Sequence, residues 1–570
     1  MEVNSLYIVG GDETKITLNI DKTSKVIFLD KVQKGFDNQL LLIKKLQDHQ
    51  DILRKKFLKL QEQVFKKINY LIENDADFKY LLSNMFFEAS PYKTNLIYKF
   101  FKLNLIIDFI RENKINKLYL LNVEEDIEDF FYLNSKKLSY SIKKVSAQGK
   151  SLSYKSFFKS SLIGTLLSRF IIELRKRKTQ TPIQYSQSRK VVLSSYPGHS
   201  FHNGFTSHYF ADVSGLLNND DYAWLFVYSG NISKLNEESK SISANVNSFG
   251  FLDTYFSLIN FKEIFINFLR IKKKLKSIKV DNLFIFDDIN YLSIIKDDWN
   301  ASISVSLINI LIFEKKIKNF LKINSNIEEI IYLMEYHPWE LVLNKIAIEN
   351  NVKTKGVVHS IVRPNLMNYY CSKLIHSFYY NPSYVGANND FSRSRFLDNG
   401  FDPDQVFKIE AQRYNYLFQY FKEYKYQKEN KTKSILITTS INFKETKELL
   451  EMFVLSKVKF DKIYIKEHPH MPVKQIINSS IKEFPSYELV EGSMQDAFQY
   501  SDIVYVVNSS SVLLESVLLK KHTITFLSLS TLPIPAVDLA PNLYFVEDAT
   551  SLTNTLTKLI NLKEFNIPKN

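Results

Sequence analysis

The string YIKEHPHMP, residues 464–472, places His468 directly behind an apolar, strand-like run. An imidazole at a strand end can donate to a phosphate oxygen, and Pro469 fixes the backbone and stops the strand. Lys466 and His470 add positive potential beside it. Further along, DIVYVVNSSSVLLESVLLKKHTITF (502–526) reads as strand, turn, helix and strand. Its turn, Asn508-Ser509-Ser510-Ser511, offers helix-capping side chains. Backbone N–H groups at a helix start, with hydroxyls beside them, suit an anion. Alone, each string reads equally well as a polar turn or an ordinary cap. Together, a βαβ unit and a strand apart, they form a phosphate-binding face.

A proton-accepting group has to come from elsewhere in the chain. Glu335 and His359 each follow an apolar strand run and are the first candidates, with Asp287 and Asp288 next. The bland reading of each is an ion-paired, capping or hydrogen-bonded structural residue. His337, Trp339 and Glu340 read as bracing the same loop. Arg363 can grip a carboxylate or phosphate with its bidentate fork. His199, His202 and His208 surround a Gly-containing loop and suit an acceptor side. Two Asp-x-Asp strings, DAD (75–77) and DPD (402–404), follow no clear strand and read as turns, so no metal is expected.

These residues need strand ends to stand on. Three regions supply them. Residues 1–180 open with LYIVGG and VIFLD, become helical and charged, and add KLYLLN (117–122): a small α/β and helical module. Residues 188–425 alternate helical stretches with KVVLSSYP, YAWLFVYS, NLFIFDD, IIYLMEY and TKGVVHS. Residues 430–570 repeat the alternation with SILITTS, KIYIKEHP, YELVEG, DIVYVVNSS, HTITFLS and NLYFVED. Alternating strand and helix implies parallel sheets covered by helices. Ligands of such sheets lie beyond the carboxyl ends of the strands. YFKEYKYQKENKTK (420–433) reads as the linker. The fold class is therefore α/β, with two Rossmann-like domains facing a cleft and an N-terminal α/β module.

The chain has 570 residues, 45% hydrophobic and 14% aromatic, which excludes a disordered protein. Its net charge of +14 suits an acidic partner without choosing among nucleic acid, anionic membrane and phosphorylated substrate. A single cysteine, Cys371, excludes an intrachain disulfide and fits a reducing compartment. The start has no secretory pattern, and no apolar run is long enough to span a bilayer. A cytoplasmic protein is expected. FFKSSLIGTLLSRFIIELRKRK (157–178) and FINFLRIKKKLKSIK (265–279) are apolar helices with cationic ends: core helices, or helices resting on anionic lipid at the inner face of the membrane.

KEHP followed by DIVYVVNSSSVLLESVLL resembles the His-Pro and Ser-Ser/Thr motifs of bacterial sialyltransferases, polysialyltransferases and Kdo transferases, which are GT-B glycosyltransferases. In them the His and the serines hold the cytidine monophosphate of a CMP-sugar. The resemblance implies a donor site made of Lys466, His468, Pro469, Asn508, Ser509, Ser510 and Ser511, with Glu515 near the ribose. YLMEYHPWELVLNKIAIENNVKTKGVVHSIVRPNLMNYY (332–370) resembles surface-carbohydrate biosynthesis proteins, where Glu-x-x-Pro-Trp-Glu precedes Gly-x-x-His-Ser. The likeness covers about 330–530, touches 188–330 loosely and misses 1–180. One departure stands out. Polysialyltransferases take their base from an acidic-acidic-glycine motif, whereas FDDIN (286–290) has Asn290 where the glycine would be, which leaves the base open.

The resemblance implies transfer of an acidic sugar from a CMP-sugar co-substrate, without metal or cofactor, to a glycan or lipid-linked acceptor of a surface polysaccharide. Two alternatives stand beside it. One is a CDP-polyol phosphotransferase of teichoic-acid type, though Val506-Val507-Asn508 replaces the Asp-Tyr pair common there. The other is a non-catalytic scaffold of a glycan assembly complex. A nucleic-acid binder would explain the charge but not the paired α/β domains.

Overall fold

A computed structural model describes residues 4–10, 24–29, 49–83, 85–90, 93–145, 168–175, 185, 189–195, 199–200, 206–207, 222–227, 249–359, 362, 366–370, 381–409, 414, 416–417, 433–468, 471–481, 483–526, 540–546 and 548–561. Most of the expected linker and both ends of 157–178 lie outside these residues; 168–175 is helical.

Among the described residues, three parallel sheets carry the fold. The first orders β1 (Ser5–Val9), β2 (Lys25–Phe28), β3 (Lys117–Leu121) and β4 (Ser141–Val145) as β2-β1-β3-β4. Leu6 and Ile8 alternate inward, while Tyr7 stacks on Tyr119 across the other face at 4.5 Å. Helix Gln50–Asn74 buries Leu53, Phe57, Leu60, Val64 and Ile68, a stripe at three- and four-residue spacing. The interior built here extends past residue 180. It also takes in Phe268 of helix Leu258–Lys276, Trp299 of helix Leu292–Ala301, and Ile308 and Leu311 of helix Leu307–Ile323. The last helix then passes into the second core, where Ile317 and Phe320 are buried.

The second sheet has β5 (Lys190–Ser195), a small hairpin of β6 (His199–Ser200) with β7 (Thr206–Ser207) off to its side, then β8 (Tyr222–Val227) and β9 (Phe249–Phe251). The chain next makes a second hairpin, β10 (Ile285–Phe286) with β11 (Ile289–Asn290). It returns to the sheet with β12 (Glu329–Leu333), β13 (Lys353–Val357), β14 (Tyr384–Ala387) and β15 (Val406–Lys408). The seven sheet strands are parallel in the order β15-β14-β13-β12-β5-β8-β9. The third sheet is parallel too, with β16 (Ser434–Thr438), β17 (Lys462–Lys466), β18 (Glu488–Leu489), β19 (Ile503–Val507), β20 (His522–Phe526) and β21 (Leu543–Val546) in the order β18-β17-β16-β19-β20-β21. Every residue of β19 and β20 is buried, as strands covered on both faces must be.

Counted within each sheet, both orders run 3-2-1-4-5-6, the doubly wound Rossmann arrangement, with a seventh strand added to the second sheet. The strand order reverses between β5 and β12 in one and between β16 and β19 in the other. The α/β class with two Rossmann-like sheets and an N-terminal α/β region is thus what the chain forms. One strand expectation fails. NLFIFDD (282–288) does not enter the parallel sheet: Asp287 and Asp288 adopt φ of 49° and 65°, and the run turns back on itself as the β10–β11 hairpin. Among the described residues no helix is long and apolar enough to cross a membrane.

Candidate functional site

At the reversal point of the third sheet three strand ends meet. β16 runs out into Thr439 and Ser440, β17 into Glu467 and His468, and β19 into Asn508 and Ser509. Pairing of β16 with β17 continues one step beyond the strand, Thr439 N–H donating to the Lys466 carbonyl at 3.1 Å. The Thr439 hydroxyl then accepts from the His468 N–H at 3.0 Å, which pins the histidine backbone to the reversal point. His468 is half-buried and bridges to Met471. Glu467 caps the next helix by accepting from Val473 N–H at 2.9 Å.

On the other side Ser509 donates to Glu445 at 2.6 Å. Glu445 is fully buried in the first turn of helix Phe443–Ser456, whose start Asn442 caps through the Lys444 and Glu445 N–H groups. Ser510 N–H closes a turn on the Val507 carbonyl, and its hydroxyl accepts from Val512 N–H at 3.3 Å. Ser511 stands at the N-cap of the short helix Val512–Leu518. Glu515, in that helix, receives the Tyr416 hydroxyl from the segment that precedes the third sheet. Lys466 turns sideways: its ammonium donates to the Val490 carbonyl at 3.1 Å and the Gly492 carbonyl at 2.5 Å, and burial lowers its pKa.

The second sheet builds a different cluster. β12 and β13 pair in register up to Leu333 opposite Val357. Two residues further on, Glu335 and His359 lie side by side, with Glu335 Oε1 3.3 Å from His359 Nε2. The other oxygen, Oε2, is 2.6 Å from His337 Nε2. The opposite ring nitrogen of His337 lies 2.7 Å from Glu88, a buried carboxylate of the N-terminal region that Lys93 also meets at 2.6 Å. Burial opposes charge on His337, but the bonds to Glu335 and Glu88 prevail and raise its pKa to about 9. Burial likewise opposes charge on Glu335, yet the His337 bond and the neighbouring His359, His337 and Lys93 hold its carboxyl down to about 2.

Below them Glu340, 1% exposed, accepts from the Glu335 and Tyr336 N–H groups at 3.1 and 2.9 Å. Burial pushes its pKa up to about 8, with His337 pulling the other way. Asn368 donates to the Glu335 carbonyl at 2.7 Å, and Trp339 packs between Phe313 and Tyr332. The loop expected around His337, Trp339 and Glu340 is therefore a braced one. Tyr336, between Glu335 and His337, is held at φ 58°.

Other expected residues lie elsewhere. Asp287 and Asp288 sit on the β10–β11 turn against the first region, where Asp288 meets Lys137 at 3.4 Å. They are not at the end of a strand of the parallel sheets. His199 lies in the small β6–β7 hairpin. Pro469, His470, Arg363, His202 and His208 fall outside the described residues. The Asp-x-Asp strings do terminate or cap helices: Asp75 and Asp77 meet Lys274 at 2.5 and 2.6 Å, and Asp402 caps Pro403–Gln405. Sequence reasoning missed Glu88, Lys93, Thr439, Glu445 and Tyr416. SILITTSIN carried a usable signal, hydroxyls at a strand end before an Asn cap, as in NSSS; Glu88 carried none.

No family model matches the chain, and no curated protein matches it. Among solved structures, it is similar to the UDP-GlcNAc 2-epimerase from Neisseria meningitidis bound to UDP-GlcNAc, at 11% identity and TM-score 0.36, over 65% of this chain and 92% of that one. It is similar to HepE of Anabaena in complex with UDP, at 11% identity and TM-score 0.34, over 66% and 91%. A third is MurG of Acinetobacter baumannii, at 10% identity and TM-score 0.33, over 65% and 91%.

Proposed function

We propose that the chain is a nucleotide-sugar glycosyltransferase that moves an acidic sugar from a CMP-sugar to a glycan or lipid-linked acceptor. The observation that carries this reading is the placement of both motif sets. His468 and Asn508–Ser511 stand at the reversal point of one doubly wound sheet, and Glu335 with His359 stands at the strand ends of the other. The choice of CMP rests on the resemblance of KEHP and NSSS to CMP-sugar enzymes.

Glycosyl transfer builds negative charge on the leaving phosphate and needs the acceptor hydroxyl deprotonated. His468 and the hydroxyl-rich turn at Ser509 to Ser511 stabilise the first, with Glu515 beside the ribose. Glu335, 37% exposed, meets the acceptor hydroxyl; a carboxyl held near 2 is too weak a base to keep the proton. His359, with its Nε2 3.3 Å from Glu335, takes it. Arg363 pairs with the carboxylate or phosphate of the acidic sugar donor by its bidentate fork, and His199 and His202 serve the acceptor. The basic chain works at an anionic membrane surface, on its cytoplasmic face.

Turnover and donor affinity, measured together, test this. H468A should weaken donor binding roughly tenfold or more, the value of a lost hydrogen bond to a charged group. E335Q and H359A should cut turnover while donor affinity holds. Full activity in E335Q and H359A removes them as proton-handling residues; unchanged donor affinity and turnover in H468A sinks the donor assignment.

A further inference from the structure

The N-terminal region does more than stand beside the second sheet. Glu88 ends the short helix Met85–Glu88, is buried, and reaches His337 across 249 positions of sequence. His337 spans the gap from Glu88 at one ring nitrogen to Glu335 at the other. A ring with a carboxylate at each nitrogen has one state that satisfies both, the doubly protonated imidazolium. In that state it donates to Glu335 Oε2 and leaves Oε1 turned toward His359.

A second feature marks the same contact. Both backbones that enter it sit in the left-handed region without glycine: Ala89 follows Glu88 at φ 49°, and Tyr336 precedes His337 at φ 58°. Each such residue costs about 1 kcal/mol or more, and such strain persists where the surroundings impose it and concentrates at functional sites. Ala89 and Tyr336 are both buried. Of the eleven described non-glycine residues with positive φ, these two flank Glu88 and His337.

Resting on the reading above, we propose that Glu88 is a positioning residue for the Glu335–His359 pair, acting through His337, so that the N-terminal region completes the proton-handling half of the site. The charged groups facing His337 are Glu88 and Lys93 from the N-terminal region and Glu335 and Glu340 from its own loop; His359, a titratable group at the neighbouring strand end, meets Glu335. The Lys93 ammonium, on Glu88 as well, also lies 3.1 Å from the same His337 ring nitrogen, where it favours the neutral ring, so the closer Glu88 at 2.7 Å must outweigh it.

The test uses full-length protein with ¹³Cε1-labelled histidine, the His337 signal being the one lost in H337Q. His337 should titrate well above pH 8, and in the isosteric E88Q its midpoint should fall by at least one pH unit. E88Q should also lower turnover at least tenfold with donor KM within about twofold, and E88D should restore part of it. A wild-type midpoint near 6.5, or an unmoved midpoint in a folded E88Q, overturns the proposal. If E88Q does not fold, the wild-type midpoint decides alone. If the protein turns over no sugar nucleotide, the glycosyltransferase reading fails while the titration still decides whether Glu88 sets the state of His337.

Discussion

Raising the pH should loosen this protein through His337. Its imidazole would ordinarily lose its proton near 6.5, but between Glu88 and Glu335 keeps it to about 9. A folded-state value above the unfolded one means that the native state holds the proton more tightly. The resulting stability is whole below pH 6.5 and is lost as the pH climbs through 9. At ~1.4 kcal/mol for each tenfold change in proton affinity, that span is worth about 3 kcal/mol. Glu340 acts in the same sense: with its carboxyl pushed up to about 8, its share is present below 4.5 and fades as the pH rises through 8. Glu335, held near 2, contributes above 4.5 and loses that only as the pH falls toward 2. Thermal unfolding of wild type and H337Q across this range, at constant ionic strength, reads the effect. Since 2–4 °C per kcal/mol applies to 150–250 residues and the shift shrinks with size, the wild-type Tm should fall by about 3–6 °C more than that of H337Q between pH 6.5 and 9. Equal pH dependence in the two proteins would refute the charged His337.

Two further substitutions probe the strand ends. A Cβ on Gly356 would lie 2.7 Å from Met334 Sδ and 3.0 Å from its Cβ. G356A should therefore cost about 1–3 kcal/mol by overpacking and, by shifting the residues before Glu335 and His359, lower turnover; an unchanged Tm would contradict the tight strand contact. E445A removes the buried carboxylate that holds the Ser509 hydroxyl. It should destabilise by about 1–3 kcal/mol and weaken nucleotide binding, both read by calorimetry, whereas E445Q, which keeps an acceptor, should be milder.

Much of this architecture was legible in short apolar runs. HTITF is buried but carries His522, Thr523 and Thr525, whereas IVYVV, equally buried, is apolar along its length and covered on both faces, so it announces a parallel strand without its partners. NLFIFDD has the same composition, but its outcome turned on two aspartates taking up a left-handed turn, which composition does not reveal. Helices Leu258–Lys276 and Leu292–Ala301 show apolar stripes that look alike whichever core they face; only packing assigns them to the first. Within the site, Glu335 and His359 could be singled out because each follows a strand, and the register of β12 on β13 brings them together. Glu88 could not, because its partner is distant in sequence and its neighbours, MFFEAS, read as ordinary core and turn. Lys466 shows the converse: its type and position suggested phosphate, while its ammonium is bound to two backbone carbonyls.

A nucleotide is expected at the strand ends of the third sheet, against His468 and the serine turn. The direct measurement is thermal stability of wild type and H468A with CMP, CDP, UDP and GDP in turn. At 100 times its dissociation constant CMP should add roughly 2.7 kcal/mol to the wild type and far less to H468A. A preference for CDP would favour polyol-phosphate transfer, and one for UDP or GDP another sugar donor. No shift with any of the four, or a CMP shift that H468A leaves intact, would rule out a nucleotide held by His468.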